Sequence, residues 1–247
     1  MKILIVIPAR FKSKRFPGKP LAKINNKEMI IWVAQICKNV AAKSKVIVAT
    51  DDLRIKKTVN KFGFNAIMTS KNCSTGTDRV AEVSKKIKAD IYINVQGDEP
   101  LIKRNDIKKI ISAKIKFPDH VICGYSNLLK NEKKENINIP KVLTNRHNDL
   151  IYMSRSPLPA KKDLKKNIKI QYYKQVCIYA FNRKELENYK KFGKKSILEI
   201  SEDIEILRFF EINKKIKMVK IKNKSIAVDV KTDIKKVQQF IQHEKKN

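Results

Sequence analysis

A chain of 247 residues with 42% hydrophobic content can bury one large core, and no apolar run reaches the roughly 18–20 residues of a membrane-spanning helix. The formal net charge of +32, from 56 basic and 24 acidic residues, raises nucleic-acid binding as a possibility. The lysines are spread along the whole chain with abundant Ile and Asn, and no aromatic-interleaved basic motif accompanies them, so composition gives no support to a nucleic-acid partner; the charge would still steer anions. The run Ile3 to Ile7 is too short for a signal peptide and lacks a small-residue cleavage site, so a cytoplasmic protein is expected.

Apolar runs alternating with helix-period segments predict strands over 2–8, 45–50, 66–69 and 90–95, with helices over 28–40, 53–62 and 77–88 between them. Such alternation implies an α/β fold with a mostly parallel central sheet and helices on both faces. The second half is less regular. Strands are predicted over 121–126, 141–144, 150–154, 176–181, 217–221 and 226–228, helices over 183–190, 202–212 and 232–243, and a lysine-rich loop over 160–169. No repeat or linker is visible, which points to one domain, with a nucleotide-binding half over about 1–120 and a smaller substrate or dimerisation lobe over about 121–247. Cys37, Cys73, Cys123 and Cys177 lie far apart with no C-x-x-C pair, which argues against structural zinc and disulfides; three read as core thiols and Cys73 as the exposed one.

The first strand releases a basic, glycine-containing loop, Pro8-Ala9-Arg10 and then Ser13-Lys14-Arg15-Phe16-Pro17-Gly18-Lys19-Pro20-Leu21. Beyond the carboxyl end of a parallel strand such a loop suits a nucleotide phosphate, although in so lysine-rich a chain it also reads as a solvated turn. Asp51-Asp52 and Gln96-Gly97-Asp98-Glu99-Pro100 follow two further strands, so these groups would share one sheet edge. Asp51 or Asp52 also reads as the cap of the next helix, and Asp229 as a cap or turn residue. Asp98 is harder to explain structurally, because acids crowd the end of a buried strand there. Asp98 with Asp229 would suit Mg²⁺, which takes one or two carboxylates and completes its shell with phosphate oxygens and water. Ser74-Thr75-Gly76-Thr77-Asp78-Arg79 opens a helix with small residues whose amides could receive an anion or a base edge; Thr77 alternatively is the N-cap and Arg79 a surface charge. The three histidines have neither metal-ligand nor triad spacing.

Taken together, Ile7-Pro8-Ala9-Arg10, Phe16-Pro17-Gly18-Lys19-Pro20-Leu21, Val48-Ala49-Thr50-Asp51-Asp52, Gly76-Thr77-Asp78-Arg79 and Asn94-Val95-Gln96-Gly97-Asp98-Glu99-Pro100 resemble the 3-deoxy-manno-octulosonate (Kdo) cytidylyltransferases in order and spacing. Further matches stand at Tyr152-Met153-Ser154-Arg155, Ile178-Tyr179-Ala180-Phe181 and Val228-Asp229. The resemblance implies a nucleotide-diphospho-sugar transferase fold, usually homodimeric, that couples CTP to the anomeric hydroxyl of Kdo with Mg²⁺ and releases pyrophosphate, for lipopolysaccharide synthesis. It implies that Pro8, Ala9, Arg10, Lys19, Ser74, Arg79 and Gln96 bind the nucleotide, with Arg10, Lys19 and Asp98 catalytic. Asp98 and Asp229 would hold the metal, and Arg155, Gln175, Tyr179 and Glu205 would face the sugar. The chain departs from the family at Lys174-Gln175-Val176-Cys177, at Glu205-Ile206-Leu207-Arg208 and at Lys224-Ser225-Ile226-Ala227. These departures leave another ulosonic acid, such as an 8-amino-Kdo or a nonulosonic acid, as the alternative acceptor, pointed to by Gln175, Ile206 and the extra acid in Glu202-Asp203.

Overall fold

Strand β1 (Ile3–Ala9) is buried along its whole length, which is why it reads as an unbroken apolar run: Ile3, Ile5, Ile7 and Ala9 face one layer of helices, and Leu4 and Val6 face the other. The computed structural model describes residues 1–13, 15–40, 44–129, 132–162, 170–222 and 226–246. Residue 14 of the basic loop, 163–169 of the expected lysine-rich loop and 224–225 of the expected family departure lie outside these.

After β1 the chain passes a 3-10 turn at Lys19–Leu21 and a tight hairpin of β2 (Lys23–Ile24) and β3 (Lys27–Glu28) before α1 (Met29–Lys38). Asn25 and Asn26 both have positive φ, 48° and 63°, as a two-residue hairpin turn that follows the right-handed strand twist requires. The chain continues through β4 (Ser44–Thr50), α2 (Leu53–Lys61), β5 (Asn65–Met68), α3 (Gly76–Lys86) and β6 (Ile91–Val95). Then come α4 (Arg104–Lys116), β7 (Val121–Asn127), β8 (Lys141–Thr144), β9 (Leu150–Ser154), β10 (Tyr173–Phe181) and α5 (Arg183–Lys191). The last elements are α6 (Ile197–Glu202), a 3-10 turn at Glu205–Leu207, α7 (Arg208–Glu211), β11 (Ile216–Lys220) and α8 (Lys231–Lys246).

The sheet runs β11-β7-β10-β6-β1-β4-β5. Only β10 is antiparallel to its neighbours in this order, so the sheet is mostly parallel, and β8 and β9 branch from the start of β10. α1, α2 and α4 supply the core on one face; α3, α5 and α7 supply it on the other.

Four expectations are corrected. α4 was not anticipated, although Ile107, Ile110 and Ile111 carry the helical i, i+3, i+4 signal. The single helix expected over 202–212 is broken, because Asp203 adopts a left-handed φ of 49° that ends α6. No strand forms over 226–228; Val228 N–H instead donates to the Asp98 carbonyl at 3.0 Å. Cys73 is buried, and Cys177 is the half-buried thiol.

Candidate active site

The parallel register opposes Ala9 to Thr50 and Val6 to Asn94, so the carboxyl ends of β1, β4 and β6 lie on one edge of the sheet. Arg10, the first residue past β1, is exposed at that edge and has no ion-pair partner among the described residues. Lys19 returns to the same place because the loop folds on itself. Gly18, at φ 72°, donates its N–H to the Phe11 carbonyl at 2.9 Å, and its α-carbon packs under the Phe11 ring, which leaves little room for a side chain. A small core of Phe16, Ile24, Met29, Val228, Val237 and Ile241 lies beneath, and it clamps the loop, the hairpin and α8 together.

That clamp brings residues more than 200 positions apart into contact. Lys19 Nζ lies 2.5 Å from Asp98 Oδ2 and 2.9 Å from the Val228 carbonyl, and Arg15 Nη2 lies 2.9 Å from Asp229 Oδ1. Asp98 and Asp229 are therefore held side by side through the Val228–Asp98 backbone bond, each with one cation from the loop. Asp229 does not cap α8. Asp233 does so, accepting from the Asp229 and Val230 amides at 3.0 and 3.1 Å, and the Asp229 side chain is left to pair with Arg15.

A second group forms beside the first. Gly76 presses against Gln96: a Cβ there would lie 2.8 Å from Gln96 Nε2 and 3.1 Å from Pro8 Cγ, so Pro8, Gly76 and Gln96 form one wall that a larger residue at 76 would push apart. Gln96 Nε2 donates to Glu205 Oε1 at 3.0 Å, and the Thr77 N–H donates to Glu205 Oε2 at 2.9 Å. Burial pushes the Glu205 carboxyl above the usual glutamate range, against the pull of the Thr77 amide. Ser74 is exposed at the mouth of the loop, and Ala9 is buried at the end of β1. The N-cap of α3 is Thr75, in a capping box with Asp78, rather than Thr77.

The structure assigns other expected site residues different surroundings. Arg79 is only 2% exposed, and its guanidinium donates to Asp51 Oδ2 and Thr69 Oγ1 at 2.8 Å and to the Ser70 carbonyl at 3.1 Å. It is neither a surface charge nor open to a ligand in this arrangement, and it fastens the end of β4 to the loop before α3. Asp52 is the cap of α2, through the Arg54 N–H at 2.9 Å. Arg155 at the end of β9 spends its guanidinium on the Ile137 carbonyl at 2.8 Å, the Asp203 carbonyl at 3.1 Å and the Glu202 carbonyl. Gln175 and Tyr179 are buried on β10 and bonded to each other at 3.1 Å, beside a register shift between Val176 and Tyr179. Glu205, expected on the sugar side, belongs with Gln96 and Thr77. Ile206, expected to help select the acceptor, is wholly buried in the core.

Two residues that sequence reasoning passed over also matter. Arg15 pairs with Asp229, and Arg208 holds the Asp78 carboxylate from across the fold. Arg15 stands in the quoted basic loop and Arg208 in the quoted Glu205-Ile206-Leu207-Arg208 stretch, but neither stretch reveals its partner.

A cytidylyltransferase family model matches residues 4–216. The 3-deoxy-manno-octulosonate cytidylyltransferase of Escherichia coli is 37% identical over 243 residues, covering 98% of this chain and 97% of its own. The enzyme of the same name from Fusobacterium nucleatum is 40% identical with the same coverage. The chain belongs to the 3-deoxy-manno-octulosonate cytidylyltransferase family. A solved structure of CMP:2-keto-3-deoxy-manno-octonic acid synthetase complexed with CTP superposes on this cytidylyltransferase with a TM-score of 0.90 at 37% identity, over 99% of this chain and 100% of that one. The 4-diphosphocytidyl-2C-methyl-D-erythritol synthase of Anaerococcus prevotii shares the fold at 15% identity, with a TM-score of 0.65. Among the described residues no helix of this cytidylyltransferase is long and apolar enough to cross a membrane.

Proposed function

We propose that this cytidylyltransferase transfers CMP from CTP to the anomeric hydroxyl of Kdo in the cytoplasm. The hydroxyl oxygen forms a bond to the α-phosphorus and gives up its proton to water, the bond from that phosphorus to the β-phosphate bridging oxygen breaks, and pyrophosphate leaves. The observation that carries this reading is the pairing of Lys19 with Asp98 and of Arg15 with Asp229 at the end of β1, next to the unpaired Arg10. Each of these three cations is available to a triphosphate there, and a triphosphate drawing Lys19 and Arg15 onto itself would leave two carboxylates facing its phosphates.

Those carboxylates suit Mg²⁺. Both are hard oxygen donors, partly open to solvent, and already compensated by positive charge. Among the described residues no group of three or more metal-ligating side chains exists, so phosphate oxygens and water would complete the shell, as is usual for this ion. Asp98 and Asp229 would hold the ion, which would supply charge neutralisation on the phosphates. Lys19 and Arg10 orient the triphosphate and balance the charge that grows on pyrophosphate. The wall of Pro8, Gly76 and Gln96 takes the nucleoside. Arg155, once released from its carbonyl partners, grips the sugar carboxylate with its planar fork.

Pyrophosphate release from CTP tests the reading. With Mg²⁺ and Kdo, release is expected at multiple turnovers, and chelation should stop it. Release with an amino-substituted or nine-carbon acid but not with Kdo would overturn the acceptor alone; no release with any acid would overturn the reaction.

A homodimer belongs to the same reading. Ile197 and Ile200, one turn apart on α6, are 79% and 64% exposed, an apolar face that a second copy would cover. Sedimentation at ~10 μM is expected to give twice the chain mass, and the double substitution Ile197→Asp, Ile200→Asp to give the monomer. A monomeric native chain under those conditions would refute it.

A further inference from the structure

Two glutamates three residues apart reach from one short segment to two different groups. Glu202 accepts from the Ser154 hydroxyl through Oε1 and from the Arg155 N–H through Oε2, both at 2.7 Å. Glu205 accepts from Gln96 and from Thr77, as described above. The ends of the segment are pinned to each other. Arg208 donates through Nε and Nη2 to both oxygens of Glu199, at 2.7 and 2.8 Å, with its guanidinium stacked 3.9 Å from the Tyr189 ring centre. Its remaining arm, Nη1, lies 3.0 Å from Asp78 Oδ1, and Asp78 in turn accepts from the Thr75 amide that opens α3. Arg208 and Glu199 are 2% and 1% exposed, where a paired charge holds firmly and an unpaired one is costly. Residues 200–207 thus form an arch on a buried footing, and its bend is Asp203, at a left-handed φ of 49°.

Arg155 closes the arch from the other side. Two of the three carbonyls that occupy its guanidinium, those of Glu202 and Asp203, belong to the arch itself. A carboxylate offered to Arg155 makes stronger, charge-assisted bonds than a neutral carbonyl, and a bidentate grip needs two of the donors now spent.

We propose that the arch from Glu199 to Arg208 couples the two substrate subsites: capture of the acid by Arg155 releases the Glu202 and Asp203 carbonyls, and the pinned arch passes the change through Glu205 to Gln96 and Thr77. Glu202 and Arg208 are positioning residues in this scheme, the first acting through Arg155 and the second through Glu199 and Asp78. The inference rests on the placement of the sugar acid at Arg155 and of the nucleoside at Gln96 given under Proposed function.

The test uses a dead-end pair, CMP and Kdo, since CMP has no pyrophosphate to lose and no turnover intervenes. Calorimetric titration of the full chain with CMP, with and without saturating Kdo, is expected to show a change in Kd of ~5-fold or more, with the same factor appearing in the Kd of Kdo when CMP is saturating. In Glu202→Gln and in Arg208→Lys the factor should fall to within about 2 of unity, while the Kd for CMP alone stays within ~3-fold of the native value. A merely structural role would weaken both ligands and leave the factor intact. A factor of one in the native chain, or an unchanged factor in Glu202→Gln, overturns the coupling; Glu202→Gln decides alone if Arg208→Lys does not fold. Failure of the native chain to bind CMP at all would overturn the functional reading together with the coupling.

Discussion

Asp98→Asn is expected to lower kcat by roughly 10²-fold to 10³-fold, the scale seen when one preorganised charge is removed from a reaction centre. The substitution keeps size and shape but deletes the negative charge opposite Lys19. It should leave the fold in place. Asp98 is not a core residue, its backbone carbonyl still accepts from Val228, and Lys19 keeps the Val228 carbonyl at 2.9 Å. A shift in stability within about 0.5 kcal/mol is therefore expected, or ~2 °C in Tm for a chain of this size. Steady-state pyrophosphate release and a thermal melt measured together give the answer. A variant that keeps a third or more of native turnover would remove Asp98 from the reaction centre and take the Mg²⁺ assignment with it.

Lys114→Met should produce the largest loss of stability, about 3–5 kcal/mol, by leaving a buried carboxylate uncompensated. Lys114 on α4 and Glu185 on α5 are each 1% exposed, and the ammonium lies 2.8 and 2.7 Å from the two carboxylate oxygens. It also donates to the carbonyls of Pro118 and His120, at 2.9 and 2.7 Å, which would be left without that partner. Glu185 in addition caps its own helix in a box with Asn182, so its charge serves two elements. Burial pushes the Glu185 carboxyl up and the Lys114 ammonium down, with each partner opposing the shift of the other. Once Lys114 is gone, the folded-state pKa of Glu185 rises further above its unfolded value. The folded variant then binds a proton that the unfolded chain does not, so its stability recovers as pH falls through that raised pKa and is lowest above it. Denaturant unfolding across the acid range should show this recovery, and the double variant Lys114→Met, Glu185→Leu should regain most of the loss at neutral pH. A single-variant cost below about 1 kcal/mol at neutral pH would show that the pair is dispensable.

The two experiments probe different layers. Asp98 lies where strands end and the backbone turns out to solvent, so under the proposed function its charge would serve a ligand rather than the fold. Lys114 on α4 and Glu185 on α5 are buried where two helices meet, and their charge serves the fold alone.

Much of the nucleotide side was legible in the sequence because it is built from short contiguous stretches. A buried parallel strand writes itself as an apolar run, and the polar residues just beyond it must emerge at one sheet edge. That logic alone brought Arg10, Asp51, Gln96 and Asp98 together, and the structure keeps them on that edge. The capping of α2 by Asp52 and the glycine opening α3 are local events of the same kind. The helix α4 carried a readable period in Ile107, Ile110 and Ile111.

The rest depends on which distant segments meet, and no local pattern records that. Arg79 reads as one surface charge among many until the fold buries it against Asp51, and Arg155 reads as an open carboxylate fork until the carbonyls of 137, 202 and 203 are seen to occupy it. Asp229 has equal claims as a helix cap until Asp233 takes that role and the small core under α8 turns residue 229 toward Arg15. The sequence by itself determined the strand order of chemistry along one edge, because period and burial are local properties of the chain. Only the tertiary structure decided how Lys19, Asp98 and Asp229 share charge and how the 199–208 arch joins Arg155 to Gln96, because ion pairs between residues up to 214 positions apart exist only after the core has closed around them.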